Sequence, residues 1–201
     1  MIIEDIKQVR ETKGALIAYY YFDFKDVAKR DLRGLLSSLL MQLGDDSVDF
    51  WNVLHQLYTN CHNGSDQPSE AALAQCFRDM IELPNQPPIY IILDALDECS
   101  NTFGSPSPRK RVLDFVNYLV KCRRPDLLVC ITSRPEHDIL IVLNPLTPTS
   151  RRVSLHEEGG QMEDINTYIR TFVHSHETMR KWRAEDKEFV IDTLSERAGG
   201  M

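Results

Sequence analysis

Positive charge is scarce in this chain. Lys and Arg number 23 against 30 Asp and Glu, a net charge of −7, and the isoelectric point lies near 5.4. A protein that lives on nucleic-acid phosphates carries a basic surplus, so DNA and RNA are excluded as main partners. The local cluster Arg109, Lys110 and Arg111 reads as a solvated helix start. Long apolar runs are missing too. None approaches the ~18 residues needed to span a bilayer, and the charged opening MIIEDIKQVRETK is not a secretory signal. The five cysteines, Cys61, Cys76, Cys99, Cys122 and Cys130, are odd in number and contain no C-x-x-C pair. Neither Cys61 beside His62 nor His174 near His176 offers four ligands at zinc-site spacing. No G-x-S-x-G occurs, which removes the serine-hydrolase elbow. The expectation is a soluble, cytoplasmic protein with free, mostly buried thiols, away from membranes and nucleic acid.

What the chain does contain is 42% hydrophobic residues over 201 positions, enough for one sizeable core, or one domain and part of another. Residues 1–11 read as helix. ALIAYYYFDF, 15–24, is an apolar and aromatic strand after Gly14. Leu32, Leu35, Leu36, Leu39, Leu40 and Leu43 recur along one face of a helix that Gly44 would stop. A second helix spans 50–58, and 60–69 is a loop. Ser69 caps a third helix with the apolar face Leu73, Cys76, Phe77, Met80 and Ile81, and prolines at 84, 87 and 88 end it. IYIILD, 89–94, is a buried strand. Ser107 and Pro108 open a helix with Val112, Val116, Leu119 and Val120 on one side. A third apolar strand spans 127–132, followed by a short helix, a small strand at 151–155, and helices over 161–175 and 184–198, the last stopped by Gly199-Gly200. Continuous apolar strands alternating with helices specify a parallel α/β sheet sandwiched by helices.

The strand 89–94 runs straight into three acids, Asp94, Asp97 and Glu98. In open parallel sheets, ligands bind beyond the carboxyl ends of the strands. A hard cation such as Mg2+ needs only one or two carboxylates there, because it keeps its waters. A further carboxylate orients or deprotonates a water. The strand 127–132 ends in Thr132, Ser133, Arg134 and Pro135. If the two strands are neighbours, Arg134 reaches the same rim, where an Arg facing acids suits a phosphate held over Mg2+. Plainer readings stand beside these: the acids as helix caps or loop solubilisers, and Arg134 as a salt-bridge partner of one of them.

The segments IIEDIKQ, YYYFDF, LRGLLSSLLMQL, IYIILDALDEC, LLVCITSRPE and LSERAGGM together resemble the NACHT-type P-loop NTPases of the STAND signalling class. They resemble most the nephrocystin-type N-terminal NTPase domain found in fungal proteins with ankyrin, WD40 or similar repeats. The resemblance implies a P-loop NTPase-like fold and a switch that binds and hydrolyses ATP or GTP with Mg2+. It puts the Walker B acid on Asp94, which holds Mg2+ through water. It puts the water-positioning acid on Asp97 or Glu98 and the sensor arginine on Arg134, with Thr132 and Ser133 lining the same strand end.

One departure qualifies all of this. The family's phosphate cradle is G-x-x-x-x-G-K-[ST], and none of the nine glycines here is followed by Lys. By the resemblance, the cradle and first strand belong just upstream of Met1. Residues 1–157 are then a partial NTPase core, and 158–201 the start of a following helical subdomain, also cut. The chain is expected to bind nucleotide poorly as written, and to expose an apolar edge at 127–132 that invites protein partners or self-association. Two functions follow: a nucleotide switch, or a degenerate interaction module that works without nucleotide. A two-metal nuclease built on the three acids is disfavoured by the acidic charge.

Overall fold

The computed structural model describes residues 14–102, 104–154 and 159–198. Among the described residues the sheet has three strands, β1 (Leu16–Tyr21), β2 (Ile89–Asp94) and β3 (Leu127–Ile131), in the spatial order β1-β2-β3. Both pairings are parallel. Leu16, Ile89 and Leu127 lie abreast at one end, and Tyr21 lies beside Asp94 at the other. The α/β class and parallel sheet flanked by helices are as the apolar runs specify.

The described α-helices of the first part are α1 (Leu32–Asp46), α2 (Val48–Asn60), α3 (Glu70–Glu82), α4 (Pro108–Lys121) and α5 (His137–Leu143). Their starts are written in side chains. Asp31 accepts from the Gly34 amide, Ser69 from Ala72 and Ser107 from Lys110, each satisfying an orphan donor of a first turn. Leu35, Leu36, Leu39, Leu40 and Leu43 of α1 are buried with Phe77, Met80 and Ile81 of α3 and Val112 and Val116 of α4. The alternate residues Ala18, Tyr20, Ile91 and Leu93 of the sheet join this core. Ile17 and Ile92, facing the other way, are buried as well.

Several boundaries differ from expectation. Gly44 does not stop α1, which runs on to Asp46, because Leu54 of α2 packs closely over Gly44 and favours a residue without a side chain there. Val120 is exposed at the end of α4. β3 alternates half-buried and exposed positions instead of being buried throughout, because it is an edge strand with Leu128 and Cys130 on its open face. Residues 149–151 form a 3-10 turn and 152–154 are irregular, so the part of the expected 151–155 strand that is described forms no strand. The expected helix at 1–11 and the stop at Gly199-Gly200 lie outside the described residues.

The chain divides into two compact units, residues 1–147 and 148–201. The second is built on α6 (Gly159–Ser175) and α7 (Ala184–Ala198), which pack on each other. Val173 and Ile191 are buried apolar residues among those described in it, and Arg170 meets Glu188 at 3.4 Å. No helix among the described residues is long and apolar enough to cross a membrane.

Candidate functional site

The acids sit where the central strand stops. β2 ends at Asp94, and the chain turns at once because Ala95 adopts φ 55° and ψ 48°. A left-handed residue other than glycine costs about 1–2 kcal/mol, so its surroundings must hold it. Thr132 does so. Its hydroxyl donates to Asp94 Oδ1 and accepts the Ala95 amide at 3.0 Å. Its carbonyl accepts the Leu96 amide at 3.0 Å, and its own amide donates to the Leu93 carbonyl at 2.9 Å. Leu96 is fully buried and anchors the 3-10 turn Leu96–Glu98 from below.

The three acids then part company. Asp94 turns to Thr132, as above. Asp97 Oδ1 accepts the Arg134 amide at 3.0 Å, and its Oδ2 lies 3.5 Å from Arg134 Nε. The Asp97 side chain is 11% exposed and that of Arg134 is 83% exposed. Glu98 Oε2 accepts the Phe24 amide at 3.3 Å, from the loop after β1. Ser133 is exposed, and its hydroxyl donates to the Arg134 carbonyl. Thus Asp94, Asp97, Thr132 and Arg134 meet on one rim through direct bonds. Glu98 reaches toward β1, and Ser133 faces solvent. The Arg134–Asp97 ion pair expected from the plainer reading is present.

For a hard cation, the rim offers one carboxylate oxygen. Asp94 is half-buried, its Oδ1 is occupied, and no partner for Oδ2 is found among the described residues. That fits an ion held largely through its own waters. It does not fit a cage of protein ligands: no group of three or more acids, histidines or cysteines converges among the described residues. For phosphates, the rim supplies the exposed Arg134 guanidinium and no Gly-Lys cradle.

Arg109 is the residue that composition concealed. It was expected to be solvated with Lys110 and Arg111, yet it is 6% exposed. Its Nε donates to the Cys99 carbonyl at 3.0 Å and its Nη2 to the Asp97 carbonyl at 2.5 Å. Its Nη1 meets Glu136 and, at 3.4 Å, Asp138. Lys110 pairs with Asp114, and Arg111 Nη1 lies 2.9 Å from both carboxylate oxygens of Glu70, so Arg111 ties α4 to α3. The signal was periodic. Arg109 lies three residues before Val112 and seven before Val116, on the apolar face of α4. Cys76 and Cys99 are buried, Cys61 and Cys122 are half-buried and Cys130 is exposed, so the thiols are less covered than expected.

A parallel three-stranded sheet with acids at the carboxyl end of its middle strand and an Arg on the neighbouring rim is an α/β ligand-site architecture. Residues 1–134, more than half of the chain, match the family model "Nephrocystin 3, N-terminal", and the chain belongs to that family. The match ends at Arg134, so it takes in β1, β2, β3 and every rim residue named above. No curated protein and no solved structure matches the chain.

Proposed function

We propose that this chain carries the acid and arginine half of a NACHT-type nucleotide switch acting on ATP or GTP. The observation that carries this reading is the bonded rim at the carboxyl ends of β2 and β3, where Asp94 keeps one free oxygen beside Thr132 and Asp97 holds an exposed Arg134. Asp94 holds Mg2+ through water, with Thr132 fixing its carboxylate by the other oxygen. Mg2+, when bound, offsets the phosphate charge. Asp97 or Glu98 orients the hydrolytic water. Arg134 recognises the γ-phosphate. Its side chain is 83% exposed and its guanidinium lies 3.5 Å from the Asp97 carboxylate, so a multiply charged phosphate competes for it.

No Gly-Lys cradle lies within the 201 residues, so the chain alone holds nucleotide weakly. Paramagnetic broadening is suited to weak binding. Titration of the chain with Mn2+·ATP in the millimolar range is expected to broaden the amide signals of residues 94–98 and 132–134 selectively. Asp94→Asn is expected to remove that broadening with the fold intact. Broadening unchanged by the substitution would sink the assignment of Asp94, and micromolar affinity for Mg-ATP would contradict the role given to the missing cradle.

A second reading, a nucleotide-independent interaction module, is favoured by the edge of β3. Asp126 and Thr132 turn their backbone groups toward β2, with the Ile89 amide on the Asp126 carbonyl at 2.7 Å. Strand alternation therefore turns the N–H and C=O groups of Val129 and Ile131 outward, where they have no partner among the described residues. Such an edge accepts another strand, from a partner protein or a second copy. Under this reading, Asp94→Ala leaves function unchanged.

A further inference from the structure

We infer that Arg109 is a positioning residue that sets where Arg134 stands relative to Asp97. The inference deepens the nucleotide-rim reading and rests on it for the meaning of the rim. Its geometry stands independently.

The rim is assembled from two segments that are distant in sequence. One is the turn after β2, carrying Asp97 and Glu98. The other is the segment after β3, carrying Arg134 and leading into α5. Direct bonds between them at the level of the side chains are few. Thr132 ties Asp94, and the Arg134 amide ties Asp97. Behind this thin seam lies one guanidinium. Arg109 donates to the backbone of the first segment on both sides of Glu98, at the Asp97 and Cys99 carbonyls. With its remaining nitrogen it holds Glu136 and Asp138 of the second segment. Glu136 is itself closed onto the rim, its amide donating to the Arg134 carbonyl at 2.8 Å. Beside the direct bond from the Arg134 amide to the Asp97 carboxylate, a second path thus runs from the Asp97 carbonyl through Arg109 and Glu136 to the Arg134 carbonyl.

The fork suits this task. A guanidinium is planar and presents donors in fixed directions, so it holds two carbonyls and a carboxylate at set mutual positions. An ammonium has the same charge without the fixed fork. Arg109 is 6% exposed while Glu136 and Asp138 are 44% and 41% exposed at the side chain, so the clamp has a rigid inner end and an outer end at the surface. The Arg109 amide donates to the Ser100 carbonyl at 2.9 Å, which fixes the start of α4 to the same loop. The arginine therefore approaches from a framework that is part of the core.

The test is site-resolved amide exchange on the full chain. In the wild-type protein the Arg134 amide, bonded to Asp97, is expected to be protected. In Arg109→Lys the Arg134 amide is expected to exchange at least about tenfold faster, while Leu96 and Thr132, which stitch β2 to β3, keep their protection. A double substitution, Glu136→Gln with Asp138→Asn, removes only the outer carboxylates and is expected to give the same local signature with the fold unaltered. It keeps the test decisive if Arg109→Lys does not fold. Unchanged protection at Arg134 in the double variant would overturn the inference. So would parallel loss at Arg134, Leu96 and Thr132, since that marks a general structural role. With Mn2+·ATP, both variants are expected to retain broadening at Asp94 and lose it at Arg134, which a purely stabilising residue would not produce. If Mn2+·ATP broadens nothing even in the wild type, the nucleotide reading fails while the exchange result still decides the role of Arg109.

Discussion

Cys99 shows burial and charge acting on a single atom. Its thiol donates to the Arg30 carbonyl at 3.2 Å beneath the acid turn. Burial pushes its pKa up to about 12. Arg109 opposes the rise and Asp31 adds to it. Burial likewise pushes Cys76 up to about 11. Both values lie above the ordinary thiol value of 9.0. The folded state therefore holds these protons more tightly than the unfolded state. That contribution is fully present below the ordinary value and declines as pH climbs toward the folded values. Urea unfolding is expected to show a lower midpoint near about pH 10 than near about pH 8, and Cys99→Ala is expected to flatten that slope. A midpoint that does not move over this range would refute the shared burden on Cys76 and Cys99. Nothing in the local sequence around Cys99 announces this. The shift comes first from burial in the core and then from Asp31, which is far away along the chain.

Whole elements were more legible than single side chains. The leucine face of α1, the Ser69 cap and the Ser107-Pro108 start are local chemistry, and local chemistry survives without tertiary information. Ends were less legible, because they depend on what packs there. Gly44 lies inside α1 for the sake of a neighbouring helix, and the segment 151–154 is apolar at Val153 yet joins no sheet. Gly34 in the first turn of α1 is similar. A Cβ there would stand 2.0 Å from the Ala28 carbonyl oxygen and 2.6 Å from the Tyr20 hydroxyl. Those two groups bond each other at 3.1 Å and fasten the loop after β1 to the sheet. Gly34→Ala raises helix propensity yet is expected to destabilise the protein by about 1–3 kcal/mol through overpacking against backbone. Thermal unfolding measures the sign, and an increase in Tm would show that the 26–31 loop yields freely.

The first unit is asymmetric across its sheet. Helices α1, α3 and α4 bury one face, β1 is covered on both sides along most of its length, and β3 stands at the margin. Leu128 is 43% exposed, next to a shallow cavity of about 250 Å³ that Tyr90, Ile92, Leu128 and Cys130 help to line. Apolar side chains beside outward backbone groups make an associating edge. Sedimentation velocity is expected to show concentration-dependent assembly of the wild type, and Leu128→Lys is expected to return it toward monomer. A wild type that stays monomeric at high concentration would count against the edge as an interface and against the second functional reading.

Apolar periodicity, caps and the run of acids after β2 are properties of neighbours along the chain, so the α/β class, the parallel sheet and the positions Asp94, Asp97 and Glu98 could be read directly from the letters. The meeting of Asp97 with Arg134, 37 positions apart, needed the adjacency of β2 and β3 as well. Beyond that, only packing could decide. It turned Arg109 inward to bind two carbonyls and two acids, sent Glu98 to Phe24, and left one side of β3 open. A charged side chain buries where the fold offers enough donors and acceptors to replace its water, and that inventory exists only after the distant segments have come together.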